Sequence, residues 1–188
     1  MARLTTWIHR TIAVLLLVLL VACSSTSARR ASPAPSTAAT TERSTVGRCH
    51  TSALSLALAG RNRVAADQYE VRLIFTNQAA QPCRLVGFPG VDLKGPPSRE
   101  GDTYPLPRSA GVPRTTILRP GASARSVLTY LAGPGACDPG RAWTPDMLVV
   151  TPPDETTQLT APWPGQPVDH CQGGATHPGT FIAPLEPA

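Results

Sequence analysis

Two cysteine-histidine pairs, Cys49-His50 and His170-Cys171, are the residues of this 188-residue chain whose types most directly suggest chemistry. Two thiolates and two imidazoles make a donor set that zinc accepts in tetrahedral geometry. The spacing argues against it. Structural zinc motifs place paired ligands two to four residues apart so that both turn to one ion, whereas adjacent residues on a strand point to opposite faces. No metal site is expected. His177 lies in a Gly- and Pro-rich segment with no evident co-ligand. Gly121-Ala122-Ser123-Ala124-Arg125 begins like a nucleophile elbow, but Arg125 stands where the second glycine belongs and no strand-elbow-helix pattern surrounds it. A turn running into a strand is the better account. Asp154-Glu155 follows Pro152-Pro153 and reads as a solvent loop, and there is no phosphate-cradling glycine motif or zincin helix. The expectation is a protein without catalytic residues or cofactor, and not an enzyme.

A fifth cysteine carries a different chemistry. Arg3 and Arg10 precede a continuously apolar run, Ile12 to Ala22, and Cys23 follows the small residue Ala22. This is the layout of a secretory signal. Eleven apolar residues span only ~17 Å of helix, against a hydrocarbon core of ~30 Å, so a stable membrane span is the poorer reading. Leu20-Val21-Ala22-Cys23 resembles the bacterial lipobox. That resemblance implies cleavage between Ala22 and Cys23, a diacylglycerol thioether on Cys23 and acylation of the new amino terminus. Two or more acyl chains, at ~0.8 kcal/mol per buried methylene, hold a protein durably on a membrane. The expected location is extracytoplasmic, on the cell membrane through a lipid anchor.

The domain boundaries follow: a signal over residues 1–22, a lipidated tether over 23–47 and one folded domain over 48–188. Ser24 to Gly47 is rich in Ser, Thr, Ala and Pro and cannot bury enough surface to offset its chain entropy. As a flexible coil it reaches roughly 25 to 30 Å. The net charge of +5 raises the question of nucleic acid, but from Arg48 onward twelve basic residues face eleven acidic ones, without clustering. That distribution gives a nucleic-acid footprint no support, and no nucleic-acid partner is expected.

Export places Cys49, Cys83, Cys137 and Cys171 where thiols oxidise, and an even count reads as two disulfides with three possible connectivities. Cys49 with Cys83 and Cys137 with Cys171 is the favoured pairing, because each pair brackets a segment able to form a strand and return.

These cysteines sit among strand signals. Ala53 to Leu58 alternates Leu with small residues, and Gln68 to Thr76 places Tyr69, Val71, Leu73 and Phe75 on one face. Cys83 to Phe88 reads as a strand bent by Pro89-Gly90, and Lys94 to Pro113 as a long surface loop after a short strand around Val91 to Leu93. Thr115 to Leu118, Ser123 to Leu131, Met147 to Thr151 and Gly179 to Ala183 complete the set. With 21 prolines and 15 glycines spread along the chain, about seven or eight short antiparallel strands with long loops predict an all-β, immunoglobulin-like sandwich.

Cys49, Phe75-Thr76-Asn77, Pro82 to Val91 (PCRLVGFPGV), Leu118-Arg119-Pro120-Gly121, Cys137 and Cys171 together resemble the actinobacterial domain of unknown function 4232. The most specific part is the order Asn, Cys, then Gly-aromatic-Pro-Gly. The resemblance spans about Arg48 to Pro184 and implies a β-sandwich on an exported or lipid-anchored protein. It carries over no catalytic residue. Function on such a scaffold sits in loops, so Trp143 and Trp163 are candidate contacts for an envelope protein, peptide or polysaccharide, with core packing as their alternative role. A non-catalytic binding domain is the first expectation and a structural surface protein the second.

Overall fold

The computed structural model describes residues 45–132, 142–169 and 179–188. Their regular structure is all β apart from one 3₁₀ turn, Thr51–Ala53. Cys23, Cys137, Cys171, His170 and His177 lie outside the described residues, as do the signal and almost all of the tether.

The period-two pattern builds the first sheet. In β2 (Gln68–Asn77) Val71, Leu73, Phe75 and Asn77 are buried, with half-buried residues between them. It pairs antiparallel with β1 (Leu54–Arg63) on one side and β7 (Ser123–Leu131) on the other. Register places Leu73 against Ser126 and Phe75 against Ala124, so bulky and small buried residues alternate across the pair. Gly60, at φ 62°, takes up the register shift between Ala59 and Arg61 in β1, a backbone angle that an L side chain seldom adopts. The far edge of β7 receives β12 (Phe181–Ile182) and β13 (Glu186–Pro187).

A second antiparallel sheet runs β10 (Leu159–Pro162), β9 (Met147–Thr151), β4 (Gly90–Ser98), β5 (Gly101–Pro105). Val91 faces Val150 and Leu93 faces Leu148 across its centre. Side chains of both sheets meet in one buried cluster that includes Leu73, Phe75, Leu128, Tyr130, Leu93 and Leu148. Two short ladders complete the described strands: β3 (Cys83–Leu85) with β6 (Thr116–Leu118), and β8 (Ala142–Trp143) with β11 (Val168–Asp169).

The favoured pairing of Cys49 with Cys83 is present as a disulfide. Beside it Arg48 bridges Arg84 in parallel, and the Cys49 N–H donates to the Arg84 carbonyl at 2.9 Å. The segment 94–113 corrects the sequence reading. It contains the end of β4 and all of β5, joined as a hairpin, where a long loop was expected. Gly95-Pro96-Pro97 is tolerated because it falls in the register irregularity between Lys94 and Ser98, where a missing N–H breaks no ladder bond. The strand expected over Cys83 to Phe88 stops at Leu85.

Candidate functional site

A concavity among the described residues lies where β3 hands over to β4. Its volume is about 410 Å³, and three stretches wall it: Val86, Gly87, Phe88 and Gly90; Arg108 with Pro113; and Thr151 to Glu155. The sheet explains why they converge. Gly90 is the register partner of Thr151, so the start of β4 and the end of β9 release their loops side by side. The Arg108 wall is fixed by main chain: Ile182 N–H donates to the Pro107 carbonyl, and Ser109 N–H to the Ile182 carbonyl, both at 2.9 Å. Arg108, between them, is held by its backbone while its side chain stays exposed.

Proline and glycine set the texture of the cleft. Pro152 and Pro153 are buried and present rigid apolar surface. Gly87 has φ 117°, outside what a side chain permits, and a Cβ there would already touch Pro153 at 3.6 Å. The main chain is therefore bare on that wall. The Arg108 guanidinium lies 5.7 Å from the centroid of the Phe88 ring, a cation-π contact.

Asp154 and Glu155, read from sequence as a solvent loop, divide their roles. Asp154 is exposed and adopts φ 59°, a left-handed angle that aspartate tolerates better than most residues. Glu155 is partly buried and clamps the start of the domain. Its carboxylate accepts the Thr51 N–H at 3.1 Å and the Thr51 hydroxyl at 3.0 Å, and pairs with Arg48 at 3.2 Å and His50 at 3.1 Å. The Thr51 N–H, then its hydroxyl, then the charges of Arg48 and His50 hold the carboxyl below its ordinary range, against the opposing pull of desolvation.

The residues singled out in the sequence mostly lie elsewhere. Trp143 is buried, and its indole N–H donates to the Pro96 carbonyl at 2.8 Å. Trp163 is half-buried, donates to the Gln166 carbonyl at 3.0 Å and meets Tyr130 edge-on at 4.9 Å. Neither indole lines the cleft. Ser123 shares a 2.8 Å hydrogen bond with Thr76 across the sheet, the contact of a strand residue. His50 is spent on Glu155, and among the described residues no three His, Cys, Asp or Glu side chains gather as a metal set.

Sequence reasoning missed Arg108, Pro113 and Pro152-Pro153 as a site. The available signal was the Gly-aromatic-Pro-Gly stretch, Gly87 to Gly90, noted as the most specific part of the resemblance and now found along one wall. The Asn of that pattern does different work. Asn77 is fully buried, and its amide donates to the carbonyls of Gln81 at 2.8 Å and Leu118 at 3.0 Å, while its oxygen accepts the Ala79 N–H at 2.9 Å. It ties two turns together.

No curated protein matches the chain. The family described as Domain of unknown function (DUF4232) matches residues 49–180, from the first cysteine of the disulfide almost to β12 and across every wall of the cleft, and the chain belongs to that family.

Proposed function

We propose that this chain is a lipid-anchored envelope protein whose β domain is a non-catalytic binding module, and that the cleft between Phe88, Arg108 and Pro153 is its ligand site. The cleft carries the reading. It unites a bare main-chain wall at Gly87, rigid apolar floor residues and an exposed cation in a volume of about 410 Å³, within the ~300 to 1,000 Å³ usual for ligand pockets. Rigid surroundings for a few convergent polar groups favour binding over chemistry, since no nucleophile with a base lines the walls among the described residues.

The location rests on the sequence: an apolar run too short to span, ended by Cys23 in a lipobox-like setting. In the same reading the two sheets are the layers of an immunoglobulin-like sandwich of actinobacterial lipoprotein type, and Cys137 pairs with Cys171. A purely structural surface protein is the second reading, favoured by the two indole N–H groups being spent on main-chain carbonyls.

The test is an affinity capture from cell envelope with the intact chain and with Pro113→Trp, which obstructs the cleft from an exposed position. Recovery of a specific partner or glycan by the native chain, lost in the variant, supports the binding reading. Recovery of nothing specific leaves the structural reading. For the anchor, Cys23→Ala is expected to release the domain or stall processing, and unchanged membrane retention with normal maturation refutes it.

A further inference from the structure

We infer that the Phe88–Arg108 cleft takes the carboxylate end of a short extended peptide. This rests on the binding reading above and names the chemistry of the ligand. Four features point the same way.

The first is a poised cation. The ion pairs among the described residues are Arg48 and His50 with Glu155, and Arg125 with Glu186, so Arg108 has no carboxylate partner among them. The cation-π contact keeps its guanidinium beside Phe88, and a planar fork of N–H donors matches a carboxylate in two parallel hydrogen bonds.

The second is the main chain opposite. Gly87 and Phe88 line the cleft, and neither N–H donates to another described residue, whereas the Gly87 carbonyl is taken by the Leu185 N–H at 2.9 Å. Uncommitted main-chain N–H groups are the donors an anionic oxygen requires. Without a Cβ at Gly87, a ligand approaches them directly.

The third is the composition of the remaining walls. Phe88, Pro113, Pro152 and Pro153 offer flat apolar surface, and Thr151 is the one lining residue with an uncharged polar side chain. A sugar, which needs many polar partners, is poorly served; small apolar side chains and proline rings of an extended peptide are well served.

The fourth is Asp154. Its exposed carboxylate stands on the rim and has no ion-pair partner among the described residues. It repels a second negative charge and so selects a monoanionic carboxylate over a phosphate dianion or a polyanion. Amide N–H groups upstream of a peptide terminus give it partners.

The test titrates the full chain in detergent solution, by calorimetry, with three probes: acetyl-Ala-Pro-Ala as the free acid, the same peptide as its C-terminal amide, and inorganic phosphate. The acid is expected to bind at least about tenfold tighter than the amide, and phosphate more weakly than the acid. Arg108→Ala is expected to erase the difference between acid and amide while the melting temperature falls by no more than a few degrees, the loss of one exposed cation-π contact; Arg108→Lys keeps part of the difference. Equal affinity for acid and amide, tighter binding of phosphate, or no binding of either peptide overturns the inference. If neither peptide binds while envelope capture is still lost in Pro113→Trp, the ligand class is wrong and the cleft stands. If capture also yields nothing, both readings fall.

Discussion

Glu155 holds Thr51 twice, through its main-chain N–H at 3.1 Å and its hydroxyl at 3.0 Å, so one carboxylate from the loop after β9 fastens the start of the domain. The bonds favour the ionised form and lower its pKa from the ordinary 4.5. A carboxyl whose folded pKa is depressed contributes stability that is complete above the unfolded value and is lost as pH falls through the folded one. Glu155→Gln is therefore expected to lower the melting temperature near neutral pH and to flatten its decline on the acid side. Thermal scans from about pH 7 to about pH 3 read both effects, and parallel acid limbs for the two proteins contradict the assignment.

Asn77 is fully buried with three hydrogen bonds on its side chain. Asn77→Ala leaves the Leu118 carbonyl and the Ala79 N–H without their partner in or beside the core. Each abandoned buried group costs about 1 to 3 kcal/mol, so urea unfolding is expected to show a loss of about 3 kcal/mol. Asn77→Asp is no rescue, because it removes both donors and buries a charge.

The Cys49–Cys83 disulfide closes a loop with a sequence separation of 34. In the chain-entropy model such a crosslink contributes roughly 3.5 to 4 kcal/mol by restricting the unfolded chain. The double variant Cys49→Ala/Cys83→Ala is expected to lose about that much in denaturant unfolding, with the same strand signature by circular dichroism before the transition.

Trp143 and Trp163 are expected to separate in stability as they do in burial. Trp143→Phe removes a part-buried hydrogen bond to the Pro96 carbonyl and leaves a gap where a buried indole packed, and is expected to cost about 1 to 3 kcal/mol. Trp163→Phe frees a carbonyl that water can reach, since Gln166 is exposed, and is expected to cost less than about 1 kcal/mol. Chemical denaturation of the two variants side by side checks the order.

Much of the first sheet was legible because burial on one face writes itself as alternation: Tyr69, Val71, Leu73 and Phe75 could hardly be read otherwise. The disulfide was legible from bracketing. The β4–β5 hairpin was not, since Gly95-Pro96-Pro97 carries loop chemistry and only its flanks pair with neighbours, Lys94 with β9 and β5 and Ser98 with the return of β5. The cleft was illegible for a related reason. Its walls come from residues near 87, 108 and 153, which share no spacing, and Arg108 becomes distinctive only once Phe88 lies beneath it. Glu155 looked like loop decoration because its partners stand more than a hundred residues earlier.

The position of that disulfide also decides how the domain answers to mechanical tension. A pull entering through the chain ahead of Gly47 meets the bridge between Arg48 and Arg84 and then, at Cys49, a covalent link to Cys83. The load passes to β3 and its partner β6 before it can peel β1 from β2. Whatever tugs on the leading end of this domain stretches a sulfur-sulfur bond, while the β1–β2 hairpin enclosed in its loop stays out of the load path.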